Sequence, residues 1–294
     1  MRAVVPAPLL VLGGVASVQS GAAIATKLFA QAGPGGTVFL RLILSAVLLL
    51  AIARPNLADH TPTDLRLVAG FGVVLAGMNT AFYEALSRIP LGVAVTIEFI
   101  GPLGLAVAGS PRKRDLLWVV LAAAGVVMLT SGGGHLDWVG VAFAATAGAL
   151  WACYILLAQR VGAVFPGAQG LTLALIVGAV ALAPYGIING GTALVDPSVI
   201  GRACAIALLS SAVPYTLEIY ALRRLHASVF GVLMSLEPAF AALSGLLFLS
   251  QHLRAREWVA IVLVVVASVG ATRGARRDEL PLEPGATPME SVPV

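Results

Sequence analysis

The chain has 294 residues, of which 59% are hydrophobic and 11% are charged. Soluble domains carry about 25% charged residues, so this composition excludes an ordinary soluble globular protein. The net charge of +4 comes from basic residues scattered between apolar segments, which is not the pattern of a nucleic-acid-binding surface. Cys153 and Cys204 lie within apolar stretches, and the sequence has neither a Cys-x-x-Cys pair nor a histidine cluster. We therefore expect no metal site, no cofactor and no disulfide framework.

Apolar segments follow one another along the chain, separated by short connections rich in Gly, Pro or charged residues. A helix needs about 20 apolar residues to cross the hydrocarbon of a bilayer. The sequence therefore predicts an all-α membrane protein with ten transmembrane helices. Arg2 before the first apolar run is typical of a signal peptide, but the length of the run favours a retained span. The predicted spans are 7–29, 35–53, 67–87, 90–109, 116–131, 137–159, 168–188, 199–221, 227–249 and 256–273.

The distribution of basic residues predicts the orientation, because cytoplasmic loops are enriched in Lys and Arg. With a cytoplasmic N-terminus, twelve basic residues fall on the inner side and four on the outer side, while Lys27 and Arg41 lie inside spans. Both termini are therefore predicted to be cytoplasmic. The inner set is Arg2, Arg54, Arg66, Arg112, Lys113, Arg114, Arg160, Arg223, Arg224, Arg273, Arg276 and Arg277, and the outer set is Arg88, Arg202, Arg254 and Arg256.

The two halves of the chain repeat weakly at an offset of 136 residues, which gives seven identities between 85–109 and 221–245. The offset places span 4 on span 9, so each half contains five helices. An odd number of spans inverts the second half relative to the first, as in carriers that alternate access to a midplane site. We predict inverted five-helix repeats at 1–132 and 133–273, followed by a disordered cytoplasmic tail at 274–294.

Ionisable residues inside the predicted spans are the main functional signal, because a charge at membrane depth is costly unless it is paired or hydrated. Glu98 and Glu237 are expected near the middle of spans 4 and 9. Arg41 is expected well inside span 2, Lys27 nearer the outer end of span 1, and Glu218 close to a helix end. All five are candidates for substrate binding or proton coupling. The alternative is structural ion pairing, for example between Glu98 and Lys27 or Arg41.

Two prolines add to this signal, because proline has no N–H to bond the carbonyl four residues earlier. Pro102 frees the carbonyl of Glu98, and Pro238, which follows Glu237, frees the carbonyl of Met234. A carboxylate beside a free carbonyl suits an ammonium group or a proton relay. A simple helix kink is the alternative interpretation.

Polar side chains on neighbouring spans are candidates for hydrogen bonds to a substrate. Asn79 and Tyr83 are four residues apart on span 3 and share one face of the helix. Tyr154 lies beside Trp151 on span 6, and Tyr215 lies on span 8. For the aromatic residues, packing between helices is the alternative.

Several strings of residues are similar to those of a known transporter family. In the first half they are Ala16-Ser17-Val18-Gln19 with Gly21-Ala22, Gly77-Met78-Asn79 with Phe82-Tyr83, Pro90-Leu91-Gly92-Val93-Ala94-Val95, Glu98-Phe99 and Gly101-Pro102-Leu103. In the second half they are Pro214-Tyr215, Leu217-Glu218, Met234-Ser235-Leu236-Glu237-Pro238-Ala239 and Ala241-Ala242-Leu243-Ser244-Gly245. On these motifs, which cover nearly all of the chain except the tail, the sequence resembles the drug/metabolite transporter superfamily with two EamA-type repeats. Within it, the bacterial threonine and homoserine exporters are the most similar.

The resemblance implies ten spans, cytoplasmic termini and proton-coupled export, and its span 1 motif adds Gln19 to the candidate site. Two features depart from the family pattern. Ser250-Gln251 follows span 9 where many relatives have Gly-Glu, so a carboxylate is missing there. Lys27 is displaced by about one position, which turns it to another face of its helix.

We therefore interpret the chain as an inner-membrane exporter of small zwitterionic amino acids that works by proton antiport with alternating access. Arg41 is expected to bind the substrate carboxylate, and Glu98 its ammonium group. Asn79 and Tyr83 are expected to donate or accept hydrogen bonds. Glu98, or else Glu237, is expected to exchange a proton with the substrate.

Other functions stay open at this point. The chain has no G-x-x-x-x-G-K-[ST] motif, so an ATP-driven pump within this chain is excluded. The alternatives are an exporter of another metabolite or of a drug-like solute, a channel, and a duplicated fold without a transport function. A membrane-embedded enzyme is not expected, because the spans contain no paired nucleophile and base.

Overall fold

The computed structural model describes residues 6–55, 60–108, 116–130, 137–222, 224–225 and 227–276. These described residues are almost entirely helical and contain no β-strand. A 3-10 helix (Gly191–Val195) follows α8, and a π-helical segment (Leu208–Ala212) joins α9 to α10. The α-helices are α1 (Ala7–Thr26), α2 (Phe29–Ala53), α3 (Pro62–Leu86), α4 (Leu91–Glu98), α5 (Ile100–Ala108), α6 (Leu116–Thr130), α7 (Trp138–Val164), α8 (Gln169–Gly190), α9 (Pro197–Ala207), α10 (Val213–Leu222), α11 (Ala227–Met234), α12 (Glu237–Leu249) and α13 (Ala255–Arg276).

Each of the ten predicted spans falls on helix, but three of them consist of shorter pieces. Span 4 is divided into α4 and α5, span 8 into α9, the π-helical segment and α10, and span 9 into α11 and α12. At the end of the last span, α13 runs to Arg276, beyond the predicted boundary. The predicted connections at 111–115 and 132–134 and the tail from residue 277 lie outside the described residues.

Six helical stretches of the described residues are long and apolar enough to cross a membrane: Ala7–Thr26, Phe29–Ala53, Pro62–Leu86, Trp138–Val164, Gln169–Val195 and Val229–Leu249. Three shorter apolar stretches are Leu91–Leu105, Leu116–Leu129 and Pro197–Ala212. The chain is therefore a multi-pass helical membrane protein. The exact number of ten crossings stays a prediction.

Side-chain acceptors bond the free N–H groups at the start of several helices, among them α3 and α4. Thr61 and Asp64 form a capping box on α3, in which the Thr61 Oγ1 accepts from the Asp64 N–H at 3.3 Å and the Asp64 carboxylate accepts from the Thr61 N–H at 2.9 Å. The cap of α4 comes from another part of the chain, because the Gln251 Oε1 accepts from the Leu91 N–H at 3.0 Å. The amide at position 251 thus ties the end of α12 to the start of α4.

Spans 4 and 9 are interrupted at positions that the repeat offset relates. Phe99 separates α4 from α5, and Ser235 and Leu236 separate α11 from α12. Phe99 and Ser235 are 136 residues apart in the sequence. Pro102 and Pro238, related by the same offset, each lack the N–H that would bond a carbonyl across the break.

The packing of the helices is similar in the two halves of the chain. If each of the first five predicted spans is exchanged with the span five places later, one packed pair of helices becomes another packed pair. Under this swap, the contact of α3 with α7 becomes that of α10 with α1, and the contact of α1 with α12 becomes that of α7 with α4. The contact of α3 with α8 likewise becomes that of α9 with α2. The pairs α2–α8, α6–α13 and α4–α12 map onto themselves. This is the packing that two structurally related halves would produce.

Glycines allow the break in span 4 to pack directly on α7. Gly148 lies against the carbonyl oxygen of Glu98, and Gly101 lies against the carbonyl oxygen of Gly148. A Cβ on either glycine would overlap backbone atoms, which cannot move aside as a flexible side chain can. The carbonyl of Glu98, which Pro102 deprives of its helical donor, is therefore covered by α7.

This packing predicts that Gly148→Ala destabilises the protein, because overpacking costs about 1–3 kcal/mol. We expect the midpoint of thermal unfolding in detergent to fall by several degrees, as measured by size-exclusion chromatography after heating. Gly162→Ala on the same helix is the matched control, since nothing lies within 4 Å of a Cβ at that position. The control should be neutral or slightly stabilising, because alanine is the better helix former. Equal midpoints for the two variants would contradict the packing.

Candidate functional site

A cavity of about 180 Å³ lies between α1, α2, α3, α7, α8 and the segment that joins α9 to α10. Its wall is mostly apolar but carries a small number of polar groups, which is the usual composition of a small-molecule site. The polar residues in its lining are Arg41, Ser45, Asn79, Tyr154, Ser210 and Ser211.

Arg41 lies at the middle of α2 and lines this cavity. Its Nη1 donates to the Tyr83 hydroxyl at 3.3 Å, and its guanidinium lies 5.6 Å from the centroid of the Tyr83 ring. No carboxylate of the described residues forms an ion pair with Arg41; the pair they do form is Arg88–Asp137, at 3.3 Å. A guanidinium has five N–H donors, so Arg41 retains donors for an anionic group in the cavity.

Tyr83 lies behind the cavity wall and contacts Arg41. Its side chain is completely buried, and its ring lies 5.6 Å from that of Phe29, centroid to centroid. It does not line the cavity. The sequence predicted a hydrogen bond from Tyr83 to the substrate, whereas the structure gives its hydroxyl to Arg41. In this conformation Tyr83 thus positions Arg41, and its hydrogen bond to a substrate stays a prediction.

Asn79 and Tyr154, both candidate site residues from the sequence, line the cavity with Arg41. The Asn79 Nδ2 donates to the carbonyl of Leu75 at 2.8 Å, which leaves its amide oxygen for a ligand. The Tyr154 ring lies 5.0 Å from that of Phe71, centroid to centroid. Tyr154 thus both packs against Phe71 and lines the cavity.

Hydroxyl groups form a part of the wall that the sequence analysis missed. The Ser45 Oγ of α2 and the Ser211 Oγ of the π-helical segment share a hydrogen bond of 2.9 Å. The Ser17 Oγ of α1 donates to the carbonyl of Leu209 at 2.7 Å and so holds this segment on α1. Single π-helical turns inside α-helices are frequent at functional sites. The adjacent pair Ser210-Ser211 within an apolar span was the available sequence signal.

Glu98 and Glu237 flank the two helix breaks, and both are buried. The Glu98 carboxyl lies within electrostatic range of both Glu237 and Arg41. Glu98 ends α4, where the helix dipole favours a cation, and Glu237 begins α12, where the dipole favours an anion. Glu98 does not line the cavity. The Glu98 carboxyl thus interacts electrostatically with one carboxyl and one guanidinium, and of these three groups only Arg41 lines the cavity.

Comparison with known proteins identifies the family. Residues 138–273 match the EamA-like transporter family. Over 273 residues the chain is 40% identical to the threonine/homoserine exporters RhtA of Salmonella typhimurium and Escherichia coli, covering 92% of this chain and 92% of each relative. This chain belongs to the EamA-like transporter family. The family resemblance inferred from the sequence motifs is confirmed.

More distant proteins are also similar to this transporter. The uncharacterized transporter YwfM of Bacillus subtilis is 25% identical over 217 residues, which are 70% of this chain and 73% of that protein. A protein of known crystal structure has a TM-score of 0.62 and 20% identity, covering 93% of this chain and 99% of its own. At that identity the likeness shows the fold alone.

Several other residues that the sequence predicted for the site do not line the cavity or lie outside the described side chains. Lys27 is the exposed C-cap of α1 and does not line it. Gln19 is buried on α1, and its Oε1 has no hydrogen-bond partner among the described residues, but it does not line the cavity either. Tyr215 and Glu218 lie on α10, and their side chains are outside the described part of the structure.

A second cavity of about 320 Å³ lies beside both helix breaks in the transporter. Phe99 and Pro102 line it from the first break, and Met234 lines it from the second. Trp151 of α7 completes the apolar wall on one side. Of the two prolines predicted as helix breaks, Pro102 lines this second cavity, which is separate from the cavity of Arg41.

Proposed function

We propose that this transporter exports small amino acids of the threonine and homoserine type across a bacterial inner membrane, in exchange for protons. The observation that carries the proposal is Arg41, a guanidinium in a cavity between helices that forms no ion pair with a carboxylate of the described residues. The substrate class is supported by the 40% identical relatives, which are named threonine/homoserine exporters.

The size of the cavity favours a small solute. Its volume is about 180 Å³. An engineered protein cavity of about 150 Å³ binds benzene, which has about as many heavy atoms as a small amino acid. A bulky drug-like solute would need a wider space. The volume of the Arg41 cavity therefore favours an amino acid over a drug-like solute at this site.

The charges of the site suit a zwitterion and a proton in turn. We assign the substrate carboxylate to Arg41, which can bind it in bidentate geometry. Glu98 and Glu237 would carry two negative charges against the one positive charge of Arg41, so either a proton or an ammonium group balances the cluster. Competition of proton and ammonium for Glu98 gives antiport. Glu98 does not line the cavity in this conformation, so we propose that movement at Phe99 opens its access.

Alternating access is supported by the paired helix breaks and by the exchange of packing contacts between the two halves. Carriers with inverted repeats place their sites near the midplane, where interrupted helices expose helix ends to ions and substrate. Phe99 and Ser235 interrupt their spans at equivalent positions, each within two residues of a buried glutamate. We propose that rocking of one half against the other moves the two breaks relative to Arg41.

We also propose ten spans with both termini in the cytoplasm, on the strength of the basic-residue count. Three polar contacts support it, because each joins helix ends assigned to the same outer side: Arg88 to Asp137, Arg202 to Gln31, and Arg256 to the carbonyl of Met128. Reporter fusions after Arg54, Arg114 and Arg277 should all report cytoplasm, and a fusion after Arg88 should report periplasm. A periplasmic signal from the Arg277 fusion would disprove the inverted repeat.

Arg41→Ala is expected to reduce amino-acid counterflow in proteoliposomes at least about tenfold, because it removes charge-assisted hydrogen bonds worth about 1.5–3 kcal/mol. The counterflow of Arg41→Lys should lie between that of the wild type and that of Arg41→Ala, since lysine keeps the charge but loses the bidentate geometry. Tyr83→Phe keeps the ring and removes one neutral hydrogen bond, so we expect an increase in KM of roughly two- to tenfold. Tyr220→Phe, at an exposed position, is the matched control. Loss of folded protein in parallel with loss of counterflow would instead indicate a structural role for Arg41.

Glu98→Gln separates proton coupling from substrate binding. We expect the variant to fold and to retain counterflow at saturating substrate, with a raised KM because the ammonium group loses its carboxylate partner, while proton-driven efflux falls at least about tenfold and its pH dependence disappears. The measurement is both fluxes in the same proteoliposomes across a pH series. Glu257→Gln, at the exposed start of α13, controls for loss of a negative charge. An unchanged pH profile in Glu98→Gln would exclude Glu98 as the coupling site and transfer the assignment to Glu237.

A further inference from the structure

The hydroxyl pair Ser45–Ser211 lies on the cavity wall, one helical turn from Arg41. Arg41 and Ser45 are four residues apart on α2 and therefore share a face, with Cβ atoms about 5–6 Å apart. Ser45 is 1% exposed, and its Oγ lies 2.9 Å from the Ser211 Oγ. A ligand whose carboxylate binds Arg41 would thus place groups a few bonds away beside these hydroxyls.

The Ser45–Ser211 pair can both donate and accept hydrogen bonds. In a pair of hydroxyls one O–H is used within the pair, so one O–H and several lone pairs remain. The pair can therefore donate to a ligand group and accept from it at the same time. A ligand hydroxyl has the same dual character, whereas a carboxylate only accepts and an ammonium only donates.

Ser210 adds a third hydroxyl to the same segment. Its Oγ is buried against Gly21 of α1 and has no hydrogen-bond partner among the described residues. Serine inside a helix commonly bonds the carbonyl four residues earlier, and Ser210 does not do so. The π-helical segment Leu208–Ala212 therefore contributes two neighbouring serines to this wall, with the Ser211 Oγ paired with Ser45 and the Ser210 Oγ buried between the segment and α1.

We infer that Ser45 and Ser211, assisted by Ser210, recognise the side-chain hydroxyl of the substrate and thereby select hydroxyl-bearing amino acids over apolar ones of the same shape. The inference rests on the proposed function, in which Arg41 holds the carboxylate. A site built to hydrogen-bond a ligand hydroxyl rejects the analogue that lacks it, because the buried hydroxyls of the site then lose their partner.

Threonine and valine test this inference directly, since they differ by a hydroxyl in place of a methyl group. The experiment measures uptake of each into proteoliposomes preloaded with the same amino acid, with homoserine and norvaline as a second pair. We expect the wild-type transporter to prefer threonine over valine by about tenfold or more. Ser211→Ala and Ser45→Ala should narrow that preference roughly three- to tenfold, by raising the KM for threonine while leaving that for valine unchanged.

Ser268→Ala is the matched control. It removes another buried serine pair, Ser235–Ser268 at 2.7 Å, which does not line this cavity. The control should leave the threonine-to-valine ratio unchanged.

Three results would overturn the inference. The first is equal transport of valine and threonine by the wild type, a measurement that needs no variant to fold. The second is an equal fall in the transport of threonine and valine in Ser211→Ala, which would indicate that Ser211 has a structural role only. The third is a changed ratio in Ser268→Ala. If the wild type transports none of the four amino acids, the proposed function fails as well.

Discussion

A lipid bilayer offers no hydrogen bonds to the backbone, so every break in a membrane helix must be covered by other parts of the protein. This constraint governs the centre of the transporter. At the first break, Gly148 of α7 covers the carbonyl of Glu98. At the second, the Ser235 Oγ contacts the carbonyl of Gly231 at 2.9 Å and the hydroxyl of Ser268 at 2.7 Å. Each break is thus packed against other parts of the bundle through different contacts at an equivalent position.

The covered breaks in turn decide where charge can lie. An interrupted span places helix ends inside the bundle, and each end attracts the opposite charge. Glu98 lies at the end of α4 and Glu237 at the start of α12, so the two carboxyls experience opposite helix dipoles. Arg41 reaches the same region from α2, supported by the buried hydroxyl of Tyr83. A cluster with one more acidic than basic group is what we propose couples substrate to protons.

The hydroxyl wall depends on a local distortion of a third span. In a regular α-helix, Ser210 and Ser211 would point about 100° apart and bond carbonyls of their own helix. The π-helical segment changes this register, so that Ser211 reaches Ser45 across the bundle. Ser17 holds the segment by its hydrogen bond to the carbonyl of Leu209. The distortion thus converts an ordinary helix face into part of the cavity.

Composition and hydropathy by themselves determined that the chain is a helical membrane protein, because burial of backbone in lipid permits few other solutions. The repeat offset related Pro102 to Pro238, which lie three residues after Phe99 and Ser235, and the position of Arg41 within its span marked it as a candidate site residue. Only the tertiary structure decided which polar groups meet. It gave the Tyr83 hydroxyl to Arg41 and left Lys27 exposed at the end of α1. It also brought Ser45 to Ser211. The physical reason is that hydropathy reports depth in the membrane, whereas contacts across the bundle depend on helix rotation and local register, which a single sequence does not encode in any short pattern.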